Sequence, residues 1–143
     1  MMVADFDSVR TQARDALDRI AKGDPSGYRA LFSRGDDVTL GNPFGGFGRG
    51  WEAVIEQVER AASYYTDGGT TGFETITESV TPEWAYTVEI ERFRTKVGGR
   101  PDMTDLALRV TCVYRREEDG WKLVHRHADP RVERQAVESV IQD

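Results

Sequence analysis

The chain has 143 residues, 38% hydrophobic and 31% charged, a balance that fits one globular domain and is too short for two separate cores. Nineteen basic against 25 acidic side chains leave a net charge of -6, which repels phosphate backbones and argues against nucleic acid as a partner. No apolar run reaches the roughly 18 residues of a membrane span. Met1 to Arg10 lacks the apolar stretch of a secretory signal, and a single cysteine, Cys112, allows no internal disulfide. A reduced, cytoplasmic protein without membrane contact is expected.

In chain order, Val9, Ala13, Ala16, Leu17 and Ile20 recur at helical spacing and predict a helix over about Asp7 to Lys22, capped by Asp7 or Ser8. Gly23-Asp24-Pro25 ends it and starts a short second helix, with Asp24 as cap and Tyr28, Leu31 and Phe32 on its apolar edge. Val38-Thr39-Leu40 reads as a short strand. It leads into Gly41 to Gly50, whose repeated glycines make a regular element costly and predict a loop. Trp51, Val54, Ile55, Val58 and Ala62 stripe a third helix, which Asp67-Gly68-Gly69 is expected to close.

The second half changes to Thr, Val, Ile and aromatic residues. Gly72 to Val80, Trp84 to Val97, Asp105 to Arg116 and Gly120 to Ala128 read as strands separated by turn sequences. Short connections make an antiparallel meander. Val132, Ala136, Val137 and Val140 suit a terminal helix or arm over residues 131–143, after a single domain over residues 5–130. Helices followed by a meander define an α+β class, with the helices on one face of a long, bent, mostly antiparallel sheet. Three short helices cannot fill a strongly curved sheet, and the leftover space predicts a pocket.

The segment Trp121-Lys122-Leu123-Val124-His125-Arg126-His127-Ala128-Asp129 resembles the last strand of SnoaL-like domains, and is similar to the association domain of the calcium/calmodulin-dependent kinase II family. Val38 to Gly41 and Phe47-Gly48-Arg49-Gly50-Trp51 resemble the same superfamily, the nuclear transport factor 2-like group that includes ketosteroid isomerase. The element order agrees from about Asp5 to Asp129. The resemblance implies a cone-shaped, cystatin-like curved sheet, a deep pocket, and a homodimer formed through the sheet. It carries over no catalytic constellation residue by residue, and where the kinase domain ends its motif with serine this chain has Asp129.

Strict alternation along the last strand puts His125 and His127 on the face of Trp121 and Leu123. They are the only histidines, and a pocket pair could move protons near neutral pH. Arg109 or Tyr28 would steady developing negative charge. The alternative is a core histidine and a subunit contact. A metal on this H-x-H pair would need a third ligand from Asp129 or Glu89, and none is expected. On the long strand the apolar row Tyr86, Val88, Ile90 predicts the buried side, which aims Arg92 at the pocket rim and Glu89 at solvent or a partner subunit. A bulge would exchange these faces. Tyr28, Phe32, Phe44, Phe47, Trp51 and Tyr65 are candidate pocket walls, suited to a small organic ligand that is aromatic or bears a carboxylate. Gly48-Arg49-Gly50-Trp51 lacks the Gly-Lys-Ser/Thr ending of a phosphate-binding loop, and no cofactor is expected. Cys112 reads as a buried structural thiol. Two functions remain open. One is a cofactor-free isomerase, cyclase or dehydratase using pocket acid–base groups; the other is a non-catalytic ligand-binding or dimerisation domain.

Overall fold

The computed structural model describes the backbone of residues 2–142, with side chains from residue 5 onward. Helix α1 spans Met2–Ile20, α2 Ser26–Leu31 and α3 Trp51–Ala62. Strands are β1 Thr39–Gly41, β2 Gly48–Arg49, β3 Tyr65–Val80, β4 Trp84–Val97, β5 Met103–Glu117 and β6 Gly120–Asp129. They form one six-stranded sheet in the order β2-β1-β6-β5-β4-β3, antiparallel except where β1 runs parallel to β6.

The helices cover one face of this sheet, here the inner face. Phe6, Val9, Leu17 and Ile20 of α1 and Val54, Ile55 and Val58 of α3 are buried there, each large side chain contributing about 1.5–3 kcal/mol by leaving water. Helix α1 begins upstream of the expected Asp7 or Ser8 cap. At α2, Asp24 accepts a hydrogen bond from the Ser26 amide at 2.9 Å, as a capping carboxylate does.

Strand β3 starts at Tyr65 and runs through Asp67-Gly68-Gly69, where a turn was expected. The register slips between Thr66 and Gly69, Asp67 takes a positive φ of 61°, and Gly68 lies against Thr95 with no room for a side chain. A bulge accommodates here the residues that signal a turn elsewhere. The glycine-rich segment likewise contains a strand, β2, which pairs back on β1. After Pro130 the chain is extended, with only a 3-10 turn at Val137–Val140 in place of a helix. Among the described residues, no helix is long and apolar enough to cross a membrane.

Strand β4, and β6 beyond Val124, face opposite to the expectation. On β4 the buried row is Ala85, Thr87, Glu89, Glu91, Phe93 and Thr95, so Tyr86, Val88, Ile90 and Arg92 lie on the outer face. On β6 the register shifts by one residue: Tyr114 pairs with Leu123, and Val113 pairs with His125. Val124 is the extra residue of this bulge, and Leu123 and Val124 are consecutively buried. The bulge falls where the neighbour of β6 changes. Phe32 bridges Leu123 and the Ser33 amide donates to the Leu123 carbonyl at 2.9 Å, then β1 takes over at Thr39 opposite His125. Beyond it the alternation reverses, so Arg126 points inward and His125 and His127 point outward.

Candidate functional site

Between the helices and the inner face lies a cavity of about 50 Å³. That volume holds roughly three to five water molecules. Its walls are apolar, with Leu17, Ile20, Phe32, Val58, Phe93 and Leu108 prominent, and Phe44 of the β1–β2 loop stands at its edge. Phe44 is half exposed and packs edge-on against Tyr64 with ring centres 4.8 Å apart. Gly45 and Gly46 beside it have positive φ, and Asn42 closes the turn by accepting from the Phe44 and Gly45 amides.

Tyr28 and Arg126 line this cavity and also a smaller polar chamber of about 10 Å³, bordered by Glu89, Glu91, Arg14 and Cys112. The two residues therefore partition an apolar compartment from a charged one. Arg126 donates from Nη1 to Glu91 Oε2 at 2.9 Å and from Nη2 to Oε1 at 2.8 Å, both side chains more than nine-tenths buried. The Tyr28 ring faces the guanidinium, 5.3 Å from its centre. Burial opposes the arginine's charge, but Glu91 outweighs it and holds Arg126 protonated. Glu89 Oε2 accepts from Arg14 Nη2 at 2.8 Å and from Thr75 Oγ1 at 3.0 Å, while Oε1 has no protein donor among the described residues. Burial pushes the Tyr28 phenol well above its ordinary pKa, so it remains a neutral donor at any physiological pH. Burial likewise pushes the Cys112 thiol up to about 11, which leaves it unreactive.

The expected site residues divide between the two faces. Tyr28, Phe32, Phe44 and Tyr65 border the cavity. Phe47 does not: it is 68% exposed and packs on His127 on the outer face, over Gly41, which has no side chain to obstruct it. Trp51 lies behind α2, stacked under Arg34 at 4.1 Å, away from the cavity. Arg92 is on the outer face beside Glu74 at 3.5 Å, not at a pocket rim. His125, His127, Arg109 and Asp129 also stand on the outer face. His125 Nδ1 meets Thr39 Oγ1 at 2.7 Å, and His127 Nε2 lies 3.6 Å from Asp129 Oδ2. Arg109 donates to both Asp129 oxygens at 3.2 and 2.9 Å. None of these four borders the cavity, because the Val124 bulge and the β5 alternation turn them away. Among the described residues no three candidate ligands cluster to hold a metal.

Glu89, Glu91 and Arg126 are the interior residues that alternation missed. The available signal was on β4 itself: Ala85, Phe93 and the two glutamates share one parity, and Arg126 supplies a cation for them on β6.

A six-stranded sheet of this order with helices over one face is the nuclear transport factor 2-like architecture, and solved structures agree. A superfamily protein from Salmonella enterica superposes with a TM-score of 0.72 at 17% identity, covering 93% of this chain and 98% of its own. A candidate dehydratase of the same family from Streptomyces avermitilis gives 0.72 at 22% identity, over 92% and 96%. A ketosteroid isomerase-like protein from Erwinia carotovora atroseptica gives 0.70 at 15% identity, over 87% and 95%. These likenesses show the fold. The SnoaL-like domain model matches residues 9–131, and the chain belongs to that family. No curated protein matches the sequence.

Proposed function

We propose that the protein binds a small, largely apolar organic molecule in the inner cavity and transfers a proton on it without a cofactor, as an isomerase, cyclase or dehydratase does. One observation carries the reading: five charged side chains, Arg10, Arg14, Glu89, Glu91 and Arg126, converge with Tyr28 on a chamber beside an apolar cavity. A buried ion pair is a poor source of stability, since apolar residues of similar volume often serve as well or better. Its presence beside open space points to chemistry. Glu89, which borders the charged chamber and not the apolar cavity, has one oxygen free and the other fixed by Arg14 and Thr75, and is the base for a substrate whose reacting carbon reaches past Tyr28 and Arg126. Tyr28 and Arg126 are the donors that stabilise negative charge developing on the substrate. The names of the Streptomyces and Erwinia relatives accord with this class.

Hydrogen–deuterium exchange at the α-carbon of small ketones, followed by proton NMR, tests it. Exchange above buffer and lowered about 10²–10⁴-fold in Glu89→Gln is expected. Exchange that never exceeds buffer, or that ignores the substitution, contradicts the catalytic role.

The second reading, ligand binding without catalysis, is favoured by the saturation of Glu91 by Arg126 and by the small cavity volume. In either reading we assign the outer face, where Tyr86, Val88, Ile90 and Val113 are partly exposed, to pairing with a second copy. Sedimentation equilibrium of Tyr86→Glu against the parent chain checks that assignment.

A further inference from the structure

We infer that Glu91 is a built-in counter-ion that sets ligand specificity, so that the cavity selects uncharged molecules bearing one hydrogen-bond-accepting oxygen and rejects carboxylates of the same shape. The inference rests on the cavity being a ligand site, as proposed above, and does not require proton transfer there.

Glu91 engages one hydrogen on each terminal nitrogen of Arg126, along the end of the planar fork. The other Nη1 hydrogen faces Cys112, whose sulfur lies 3.9 Å away. What remains is the side edge, Nε–H and one Nη2–H, which meets no protein acceptor among the described residues. The side chain is 8% exposed and borders both chambers, which places these donors inside the protein, within reach of a ligand there. The Tyr28 hydroxyl, on another buried residue shared by both chambers, also has no protein acceptor among the described residues. The site thus offers donors to an incoming oxygen.

Charge decides which oxygen. Arg126 with Glu91, Arg14 with Glu89, and Arg10 with Glu78 already form a neutral set. A carboxylate at the free edge would add an uncompensated negative charge against an apolar wall and beside the Glu91 carboxylate, which shares the same cation. An amide, ketone or ester oxygen can accept the same hydrogen bonds without adding net charge. An arginine at a pocket floor ordinarily reads carboxylates. Here its partner cancels that preference.

Isobutyramide and isobutyrate have nearly the same shape and differ in charge. Calorimetric or NMR titration of the full chain at pH 7 should show the amide binding at least tenfold tighter. Glu91→Gln leaves the guanidinium without a carboxylate partner and should shift the preference at least tenfold towards isobutyrate. The double variant R126M/E91M should bind the amide at least tenfold more weakly than the parent. A parent chain that prefers isobutyrate, or that binds neither compound at millimolar concentration, overturns the inference. So does a folded Glu91→Gln chain, judged by circular dichroism, with unchanged preference. Should Glu91→Gln fail to fold, R126M/E91M decides: amide affinity that survives the loss of Arg126 overturns the proposal, and its loss supports it. An amide preference without any proton exchange would uphold this specificity while removing the catalytic reading, and exchange with a carboxylate preference would do the reverse.

Discussion

The two faces of the sheet each carry an arginine–carboxylate pair in bidentate contact, end-on through both terminal nitrogens inside and side-on through Nε and Nη2 outside, and the pairs differ most in burial. Inside, Arg126 and Glu91 are 8% and 7% exposed. Outside, Arg109 is 56% exposed and pairs with Asp129 at 2.9 Å. Water screens the outer pair, whose burial penalty and Coulomb gain are both small. The inner pair has given up most of its hydration, so each partner depends on the other. An arginine–carboxylate pair therefore serves as surface decoration on one side and as a structural commitment on the other.

Breaking the inner pair by Arg126→Met alone should destabilise the fold by about 3–5 kcal/mol, read by urea denaturation, because Glu91 is left buried and unpaired. Removing both charges in R126M/E91M should recover most of that loss, or exceed the parent. A single variant no less stable than the double would mean that the partners act independently and would remove the contrast between the faces.

Phe44→Ala tests the mouth of the cavity. The side chain is half exposed, so the cost in stability should stay under about 1 kcal/mol, while benzamide, bulkier than isobutyramide, should gain affinity relative to it. An unchanged ratio would show that the loop does not limit access. On the outer face, Arg109→Ala should change stability by only about 0–1 kcal/mol and leave ketone exchange unaltered. A loss of exchange in that variant would return the site to the histidine side.

The smallest effect concerns pH. Burial, and then the neighbouring His127, lower the His125 pKa in the folded chain. The unfolded chain then binds the proton more readily, so this contribution to stability is present above the ordinary histidine range, near 6.5, and fades as pH falls through the lowered value. His125→Asn should flatten that part of the stability profile measured by thermal melting. A parent profile already flat below pH 6.5 would contradict the shift.

Much of the architecture was legible because local signals agreed with tertiary needs. Strand β4 has the bounds that its β-branched and aromatic run and flanking turns suggested, and the helical stripes of α1 and α3 are the buried ones. The facing of β4 and β6 was not legible. Period-two reasoning assigns apolar residues inward, and on β4 the interior row includes two glutamates whose neutralising arginines, Arg14 and Arg126, lie far away in sequence. On β6 one residue, Val124, reverses everything after it. Its cause is the change of neighbouring strand from Phe32 to β1, a long-range event with no local signature beyond two adjacent apolar residues. The start of β3 was hidden for a related reason, since Gly68 serves its packing against Thr95 rather than a turn.

The inner face of β6, carrying Arg126, meets the ligand, and the outer face, carrying His125 and His127, does not. A chain with nitrogen-15 in its arginine and histidine side chains, titrated with isobutyramide and followed by NMR, reads both faces in one experiment. Movement of the Arg126 Nε–H resonance with the His125 and His127 imidazole signals stationary is the predicted result. Imidazole signals that move while Arg126 stays fixed would contradict it.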